Sequence, residues 1–311
     1  MTRAVVFAYH NVGVRCLRVL LGRGVEVALV VTHTDQPGEE IWFDSVARHA
    51  AWHGIPVVTP DNPNTEATLA QVRSAAPEFI FSFYYRQMLG QPLLSLAPRG
   101  AYNMHGSLLP RYRGRAPVNW AVLHGEQETG ATLHRMLEKP DAGDIVAQES
   151  VPILPDDTAV EVFQKVTVAA EVALWRCLPD LLAGTAHPRP QDLAQGSYFG
   201  GRSAADGAID WYAGVRAIHN LVRAVAPPYP GAFATADGLP LRVLRTVPAP
   251  GTGALQPVLQ WRDDRVWATC PDGILRVLEF ELDTTINTPH ALHARFGSRP
   301  LPLNNPTRKS T

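Results

Sequence analysis

The chain has 311 residues, of which 46% are hydrophobic and 18% are charged, and its formal net charge at pH 7 is −1. This length and apolar content exclude a disordered chain and a peptide-sized module, and they leave room for two packed domains. The near-zero charge, without long runs of one sign, gives no electrostatic basis for binding a nucleic acid or a membrane surface.

The first third of the chain alternates short apolar runs with amphipathic stretches. Residues 4–9, "AVVFAY", form a continuous apolar run typical of a strand buried on both faces, and a helical pattern follows over 14–24. The alternation continues with predicted helices at 39–54 and 65–75 and predicted strands at 25–33, 55–60, 79–83 and 100–105. It predicts βαβ units, and therefore an α/β fold with a doubly wound, mostly parallel sheet.

The pattern changes after residue 130. Two strands are predicted at 130–137 and 144–153, and a long helix at 156–184 has Asp156 or Asp157 as its N-cap. A Pro-, Gln- and Gly-rich stretch follows at 185–197, then a predicted helix at 214–225 and closely spaced β-type runs from 231 onwards. We expect an N-terminal domain over 1–190, a linker over 191–205, a small β-barrel-like subdomain over 206–300 and a mobile tail over 301–311.

Several common binding motifs are missing from the sequence. The first strand-to-helix turn lacks G-x-G-x-x-G, and no P-loop pattern occurs. The cysteines, Cys16, Cys177 and Cys270, are far apart and predict buried free thiols of a reducing compartment. His49 and His53 have chelating spacing without an obvious third ligand, so no metal site is predicted.

The sequence also gives no indication of a targeting signal. The N-terminal apolar run is too short for a signal peptide, and no segment approaches the roughly 20 apolar residues that span a bilayer. We therefore expect a cytoplasmic protein without membrane association.

The last predicted strand of the first sheet, "GAYNMH", ends in Asn103 and His105. Residues two apart on a strand share a face, and ligands of open parallel sheets bind beyond the carboxyl ends of the strands. An Asn N–H and a protonated His can together stabilise an oxyanion that develops on a carbonyl during acyl transfer. The alternative is structural: His105 closes a loop and Asn103 satisfies backbone groups.

A nearby carboxylate would keep this His protonated, and the spacing leaves three candidates, Asp35, Asp141 and Asp144, in or near predicted loops. No covalent nucleophile stands out, because Ser107 lacks the G-x-S-x-G elbow. The residues thus indicate a reaction in which the substrate itself brings the nucleophile.

Three arginines, Arg111, Arg113 and Arg115, lie on the loop that follows His105. Guanidinium groups beside a candidate site suit a ligand that carries phosphate or carboxylate, although a solvated loop would have the same composition.

Two longer segments, "NMHGSLLPRYRGRAPVNW" and "ETGATLHRMLEKPDAGDIV", resemble the signature of the formyltransferases that use 10-formyltetrahydrofolate. The later "DGAIDW" and "PPYPGAF" are similar to the C-terminal markers of that family. The resemblance implies a Rossmann-like catalytic domain with a small OB-like barrel, and a folate as formyl donor without a metal.

The resemblance also implies roles for individual residues. Asn103 would stabilise the transition-state oxyanion, His105 would donate a proton, and Asp141 would keep His105 protonated. The folate would lie beside Gln87, Met88, Leu89 and Arg115 and along Leu137, Glu138, Lys139, Pro140 and Asp141.

Within the family, segments such as "THTDQPGEE" and "FSFYYR" look most like the formyltransferase domain of the bifunctional polymyxin-resistance enzyme. That domain formylates UDP-4-amino-4-deoxy-L-arabinose for lipid A modification. The partners implied are therefore two small molecules, the folate and a nucleotide-linked amino sugar; the oligomeric state is left open.

Two alternatives within this chemistry remain. A methionyl-tRNA formyltransferase would have to hold a polyanion, and the chain has three lysines and no basic stripe to do so. A formyltetrahydrofolate hydrolase would use water in place of the amine, which the sequence does not distinguish.

Overall fold

The computed structural model describes residues 1–35 and 41–305, which divide into two compact units. The first unit comprises 1–117, 128–152 and 163–200, and the second comprises 118–127, 153–162 and the chain from 201 onwards. The boundaries differ from the expected division at 190 and 206, because two short internal segments belong to the second unit.

Eight α-helices and fifteen strands are present in the described part of the chain. The helices are α1 His10–Gly22, α2 Val46–Trp52, α3 Glu66–Ser74, α4 Gln91–Leu94, α5 Pro117–Leu123, α6 Ala159–Ala183, α7 Val215–Ala224 and α8 Pro289–Phe296. The strands are β1 Arg3–Ala8, β2 Glu26–Val31, β3 Val57–Val58, β4 Phe79–Phe83, β5 Ala101–His105, β6 Arg113–Gly114, β7 Glu128–Arg135, β8 Ile145–Pro152, β9 Tyr198–Phe199, β10 Ala232–Ala236, β11 Leu239–Ala249, β12 Val258–Arg262, β13 Arg265–Cys270, β14 Gly273–Leu282 and β15 Leu301–Asn304. None of these helices is long and apolar enough to cross a membrane.

The first unit is built around a seven-stranded sheet with the order β3-β2-β1-β4-β5-β7-β8. Strands β1 to β5 run parallel to their neighbours, whereas β7 and β8 are antiparallel at one edge. The strand order reverses between β1 and β4, and open sheets of this kind bind ligands at such a reversal. The expected α/β class with a doubly wound, mostly parallel sheet is confirmed.

The apolar runs that predicted the central strands are buried in the sheet. Every residue of β4 and all of β1 except Arg3 are buried. Val5, Phe7 and Ile80 belong to one buried apolar cluster, which also contains Leu89. The cluster therefore supports the sheet next to the ends of β4 and β5.

Two helix starts differ from the sequence-based expectation. Helix α2 begins at Val46, where the Ser45 side chain accepts from the Arg48 N–H at 3.3 Å. Residues 41–45 of the predicted helix are therefore not helical, and residues 39 and 40 lie outside the described residues. Helix α6 is capped by Thr158, whose N–H donates to Glu161 Oε2 at 2.7 Å, so Asp156 and Asp157 are not its N-cap. Both caps are local hydrogen bonds that composition alone does not select.

The second unit contains a closed antiparallel barrel with the strand order β10-β11-β14-β13-β12-β15, which confirms the expected C-terminal barrel. The expected tail is wrong for 301–304, because β15 pairs with β10 and β12 and closes the barrel. Leu301 and Leu303 point inward and are buried. Residues 306–311 of the expected tail lie outside the described residues.

The expected linker over 191–205 is also partly ordered by pairing. Within it, β9 forms a parallel pair with β6, so residues up to 200 belong to the first unit. Its Pro- and Gly-rich composition predicted a loop, but the segment gains backbone hydrogen bonds from a strand more than 80 residues away in sequence.

One arginine of the second unit is buried and fully hydrogen-bonded. Arg223 on α7 is 6% exposed. Its Nε and Nη2 donate to Asn220 Oδ1 at 3.0 and 2.9 Å, and Nη1 donates to the Asp157 carbonyl at 3.2 Å. Nη2 also donates to the Val122 carbonyl at 3.3 Å, so this guanidinium joins the two short internal segments to α7.

We predict that Arg223→Met lowers the free energy of unfolding by about 2–4 kcal/mol, because the buried carbonyls lose their donor. The matched control is Arg295→Met, since Arg295 forms an exposed ion pair with Asp283 and should cost less than about 1 kcal/mol. Urea unfolding followed by tryptophan fluorescence measures both. Equal effects of the two substitutions would contradict the role of Arg223.

Candidate active site

Three polar side chains stand side by side on one face of the sheet at its centre. The strand register pairs Asn103 of β5 with Ser82 of β4 on one side and with His134 of β7 on the other. Ser82 and His134 are buried and Asn103 is partly buried. The pairing thus places a polar row within an otherwise apolar sheet.

Asn103 and His134 contact each other directly across the two strands. Asn103 Nδ2 lies 3.2 Å from His134 Nε2, and His134 Nδ1 lies 2.9 Å from the Arg135 carbonyl. A carbonyl accepts only, so Nδ1 donates to the Arg135 carbonyl, and Nε2 faces both the Asn103 amide and the Asp141 carboxylate. The contact with His134 fixes the orientation of the Asn103 side chain.

His105, at the end of β5, has an acceptor beside each ring nitrogen. Nε2 lies 2.8 Å from the Tyr112 carbonyl, and Nδ1 lies 3.5 Å from Asp141 Oδ1. The side chain is 6% exposed. A carbonyl and a carboxylate thus face the two nitrogens of one imidazole, and each of them can accept a ring N–H.

Asp141 lies between the two histidines. Its Oδ1 is 3.5 Å from His105 Nδ1 and 3.4 Å from His134 Nε2, and its Oδ2 accepts from the Gly114 N–H at 2.9 Å. Burial raises the pKa of Asp141, but His105, His134 and the Gly114 N–H outweigh that effect and hold its pKa well below the usual range. The carboxylate is therefore ionised at neutral pH.

The other two candidate carboxylates lie elsewhere. Asp35 accepts from the Tyr9 hydroxyl at 2.7 Å, and the backbone carbonyl of Asp144 accepts from the Arg135 N–H at 2.9 Å. Of the three residues that the spacing left open, Asp141 is the one at His105.

The loop between β7 and β8 presents Asp141 in an unusual backbone conformation. Asp141 has φ 51°, and Gln191 Nε2 donates to its carbonyl at 3.1 Å and to the Gly143 carbonyl at 2.6 Å. Gly143 is required here because a Cβ at this position would lie 1.9 Å from the Arg135 carbonyl. The loop can therefore fold back over the strand and reach His105.

The loop after His105 is held by buried hydroxyl groups. Ser107 donates to the Arg111 carbonyl at 2.7 Å and is fully buried, which gives it a structural role in place of a nucleophilic one. Thr132 donates to the Ser107 carbonyl at 2.6 Å and accepts from the Leu109 N–H at 3.2 Å. These bonds fix the Tyr112 carbonyl and the Gly114 N–H that His105 and Asp141 use.

The residues expected to contact a folate lie on three loops, after β4, after β6 and between β7 and β8. Gln87 donates from Nε2 to the Asp61 carbonyl at 2.6 Å, and the Arg115 N–H donates to the Phe199 carbonyl at 3.0 Å. Met88 and Leu137 are 54% and 48% exposed, whereas Leu89 is buried. The remaining residues of the hairpin loop, Glu138, Lys139 and Pro140, are exposed or half-buried next to Asp141.

His134 and Gln191 are the site residues that sequence reasoning missed. His134 lies in the predicted strand at 130–137. Alternate residues of that strand share one face, and this pattern is the sequence signal that could have identified His134 as a partner of Asn103. Gln191 fell in the expected linker, and no local signal marks it.

Metal-binding groups and reactive thiols are not evident in the described part of the chain. No cluster of three or more His, Cys, Asp or Glu within residues 1–35 and 41–305 could hold a metal ion. Burial raises the pKa of all three cysteines above the ordinary thiol value, so these thiols are protonated at neutral pH.

Comparison with known families matches most of the chain. Residues 14–178 match the family described as "Formyl transferase", and residues 202–289 match "Formyl transferase, C-terminal domain".

Solved structures share the fold at low sequence identity. An N-formyltransferase from Helicobacter canadensis, in complex with folinic acid and dTDP-3-aminofucose, is 19% identical with a TM-score of 0.69, covering 89% of this chain and 98% of its own. WlaRD, a sugar 3N-formyl transferase in the presence of dTDP and 5-N-formyl-THF, is 20% identical with a TM-score of 0.67, covering 89% and 97%. HypX from Aquifex aeolicus, in complex with tetrahydrofolic acid, is 18% identical with a TM-score of 0.64, covering 94% of this chain and 47% of its own.

The lowered pKa of Asp141 predicts a pH-dependent contribution to stability. Its charge stabilises the folded chain above about pH 4, the ordinary range of this group, and the contribution is lost as the pH falls through the folded-state pKa. Asp141→Asn should therefore lower the free energy of unfolding by about 1–3 kcal/mol at pH 7, with a smaller difference near pH 3. Urea unfolding at both pH values provides the measurement.

Asp263→Asn is the matched control, because Asp263 also has a positive φ, of 52°, and its side chain is 84% exposed. Asn tolerates that backbone conformation as Asp does, so neither substitution adds strain. A difference for Asp141→Asn that does not shrink at low pH would show that its loss of stability does not come from the charge.

Proposed function

This chain belongs to the formyl transferase family, and on that premise we propose that it transfers a formyl group from 10-formyltetrahydrofolate to the amine of a nucleotide-linked amino sugar. The observation that carries this proposal is the buried group of Asn103, His105 and the ionised Asp141. It combines two N–H donors with a fixed negative charge and has no covalent nucleophile beside it. Such a centre suits direct attack by an amine on an acyl carbon.

The proposed reaction forms one C–N bond and breaks another. The sugar amine attacks the formyl carbon, and the formyl oxygen takes up negative charge in the tetrahedral intermediate. Asn103 Nδ2–H donates to that oxygen and lowers the barrier by about 3–4 kcal/mol, and His105 acts as the proton donor. When the intermediate collapses, the bond to N10 of tetrahydrofolate breaks, and the proton lost by the amine is delivered to N10.

Asp141 and His134 keep the two donors ready for this step. The ionised Asp141 stabilises the positive charge of His105 while it holds the proton to be delivered. His134 contacts Asn103 Nδ2 and so holds the amide in one orientation. Preorganised donors of this kind need no rearrangement when the charge develops.

The formyl donor is proposed to bind between Gln87–Leu89 and Leu137–Asp141, with Arg115 beside it. The exposed side chains of Met88 and Leu137 are apolar, and Leu89 and Met136 border the same apolar cluster. Half-exposed apolar side chains near a polar centre suit an aromatic, partly apolar ligand such as a folate. The structures with folinic acid, formyl-THF and tetrahydrofolic acid support this choice of donor.

The acceptor is proposed to be a nucleotide amino sugar, and UDP-4-amino-4-deoxy-L-arabinose is the specific candidate. The class is supported by two similar folds, one bound to dTDP-3-aminofucose and one solved with dTDP. The specific sugar rests on the resemblance to the domain of the polymyxin-resistance enzyme. A methionyl-tRNA acceptor is disfavoured because the sequence has three lysines and a net charge of −1.

We predict that the purified chain converts UDP-4-amino-4-deoxy-L-arabinose to its formamide with 10-formyltetrahydrofolate. The measurement is mass spectrometry of products from a panel of UDP- and dTDP-linked amino sugars, with methionyl-tRNA and a reaction without acceptor in parallel. Formylation of methionyl-tRNA alone, or release of formate alone, would rule out the proposed acceptor. Formylation of a different amino sugar would keep the class and change the sugar.

Asn103→Ala and His105→Ala should each lower kcat by about a hundredfold or more, because the first removes the donor to the oxyanion and the second removes the proton donor. The control is His53→Ala, since His53 is an exposed histidine near the end of α2. Steady-state kinetics with thermal melting of each variant separates lost chemistry from lost folding. A folded His105→Ala variant with the wild-type rate would contradict the assignment of His105.

A further inference from the structure

Arg113, on β6, has a mostly buried side chain whose Nε lacks a hydrogen-bonding partner. It is 9% exposed, and its Nε is buried without an acceptor. Among the described residues, no oxygen accepts from its guanidinium and no carboxylate forms an ion pair with it. Its side-chain contact is with the ring of Tyr198 on β9, 5.9 Å from the guanidinium carbon to the ring centroid.

A buried guanidinium N–H without an acceptor lowers stability, and this chain avoids that loss at its other buried arginine. Arg223 is buried to a similar degree, but each of its nitrogens donates to an oxygen of the protein. The unpaired Nε of Arg113 therefore indicates that this side chain binds an anionic group of a ligand.

The position of Arg113 ties that anion to the candidate active site. Arg113 lies in the chain between Tyr112, whose carbonyl contacts His105, and Gly114, whose N–H contacts Asp141. Asp141 itself already faces two histidines and this N–H, so it does not serve as the counter-ion of Arg113. Arg113 therefore belongs to the short segment whose backbone contacts His105 and Asp141.

The neighbouring aromatic ring narrows the ligand class. Tyr198 is 57% exposed, and its ring stands beside the buried guanidinium. A guanidinium binds phosphate with two parallel N–H bonds, and an exposed ring offers a flat surface on which a base can stack. Both features together fit a nucleoside diphosphate better than a simple carboxylate.

We propose that Arg113 and Tyr198 form the subsite for the nucleoside diphosphate of the acceptor, with the phosphates on Arg113 and the base against Tyr198. The inference deepens the proposed function and rests on it for the identity of the sugar. In a nucleotide sugar the phosphate at the anomeric carbon is one sugar ring away from the amine.

The test is calorimetric binding of UDP, dTDP and inorganic diphosphate to the full chain without folate. Arg113→Met should weaken the binding of all three by about thirtyfold or more, since the ligand loses a buried charge partner. Arg113→Lys should restore part of this affinity, because it keeps the charge and loses the paired N–H geometry. Tyr198→Ala should weaken UDP and dTDP while it leaves inorganic diphosphate unchanged.

A second readout separates a ligand-binding role from a structural one. The ligand-free Arg113→Met protein should melt at the wild-type temperature or above it, because the substitution removes an unpaired buried charge. The control is Arg111→Met, an exposed arginine on the same loop, which should leave diphosphate binding unchanged. A lower melting temperature with unchanged diphosphate binding would assign Arg113 a structural role and overturn the inference.

Kinetics distinguish this inference from the proposed function. In Arg113→Met the KM for the nucleotide sugar should rise while the KM for the folate stays constant. A rise in the folate KM alone, or a wild-type chain that binds no diphosphate, would overturn the subsite. The wild-type chain could also bind diphosphate through Arg113 and yet formylate none of the amino sugars. That result would support the subsite and contradict the proposed function.

Discussion

The negative charge of Asp141 is the constraint on which the rest of the site depends. A carboxylate in this buried position is tolerated because two imidazoles and one backbone N–H surround it. Each of these partners comes from a different part of the first unit: the end of β5, the end of β7 and the strand β6. The carboxylate is therefore stabilised only where these three segments meet, and the conformation of their loops brings them together.

The loops achieve this through close backbone approaches and buried hydroxyl groups. Gly143 lets the hairpin loop pass over Arg135, and Gln191 holds that loop from a segment that composition marks as a linker. Ser107 and Thr132 hold the turn after His105, so that the Tyr112 carbonyl faces the imidazole. The site is thus rigid because its supports are hydrogen-bonded backbone.

The two buried arginines show how the chain treats charge in its interior. Arg223 has protein acceptors for every nitrogen and so contributes to the stability of the second unit. Arg113 lacks such acceptors among the described residues, which suits a role that begins when a ligand binds. The two arginines thus differ in the acceptors around them, and on this difference rests our proposal that Arg113 recognises a ligand.

The sequence by itself determined the α/β class, the C-terminal barrel and the placement of Asn103 and His105 on one strand face. These follow from apolar runs and from the two-residue period of a strand, which are local. The choice of Asp141 over Asp35 and Asp144, the contact of His134 with Asn103, and the pairing of β15 and β9 were decided by tertiary structure. Each depends on strand register or on a loop that folds back, and such contacts join residues too distant in sequence for any local pattern to record them.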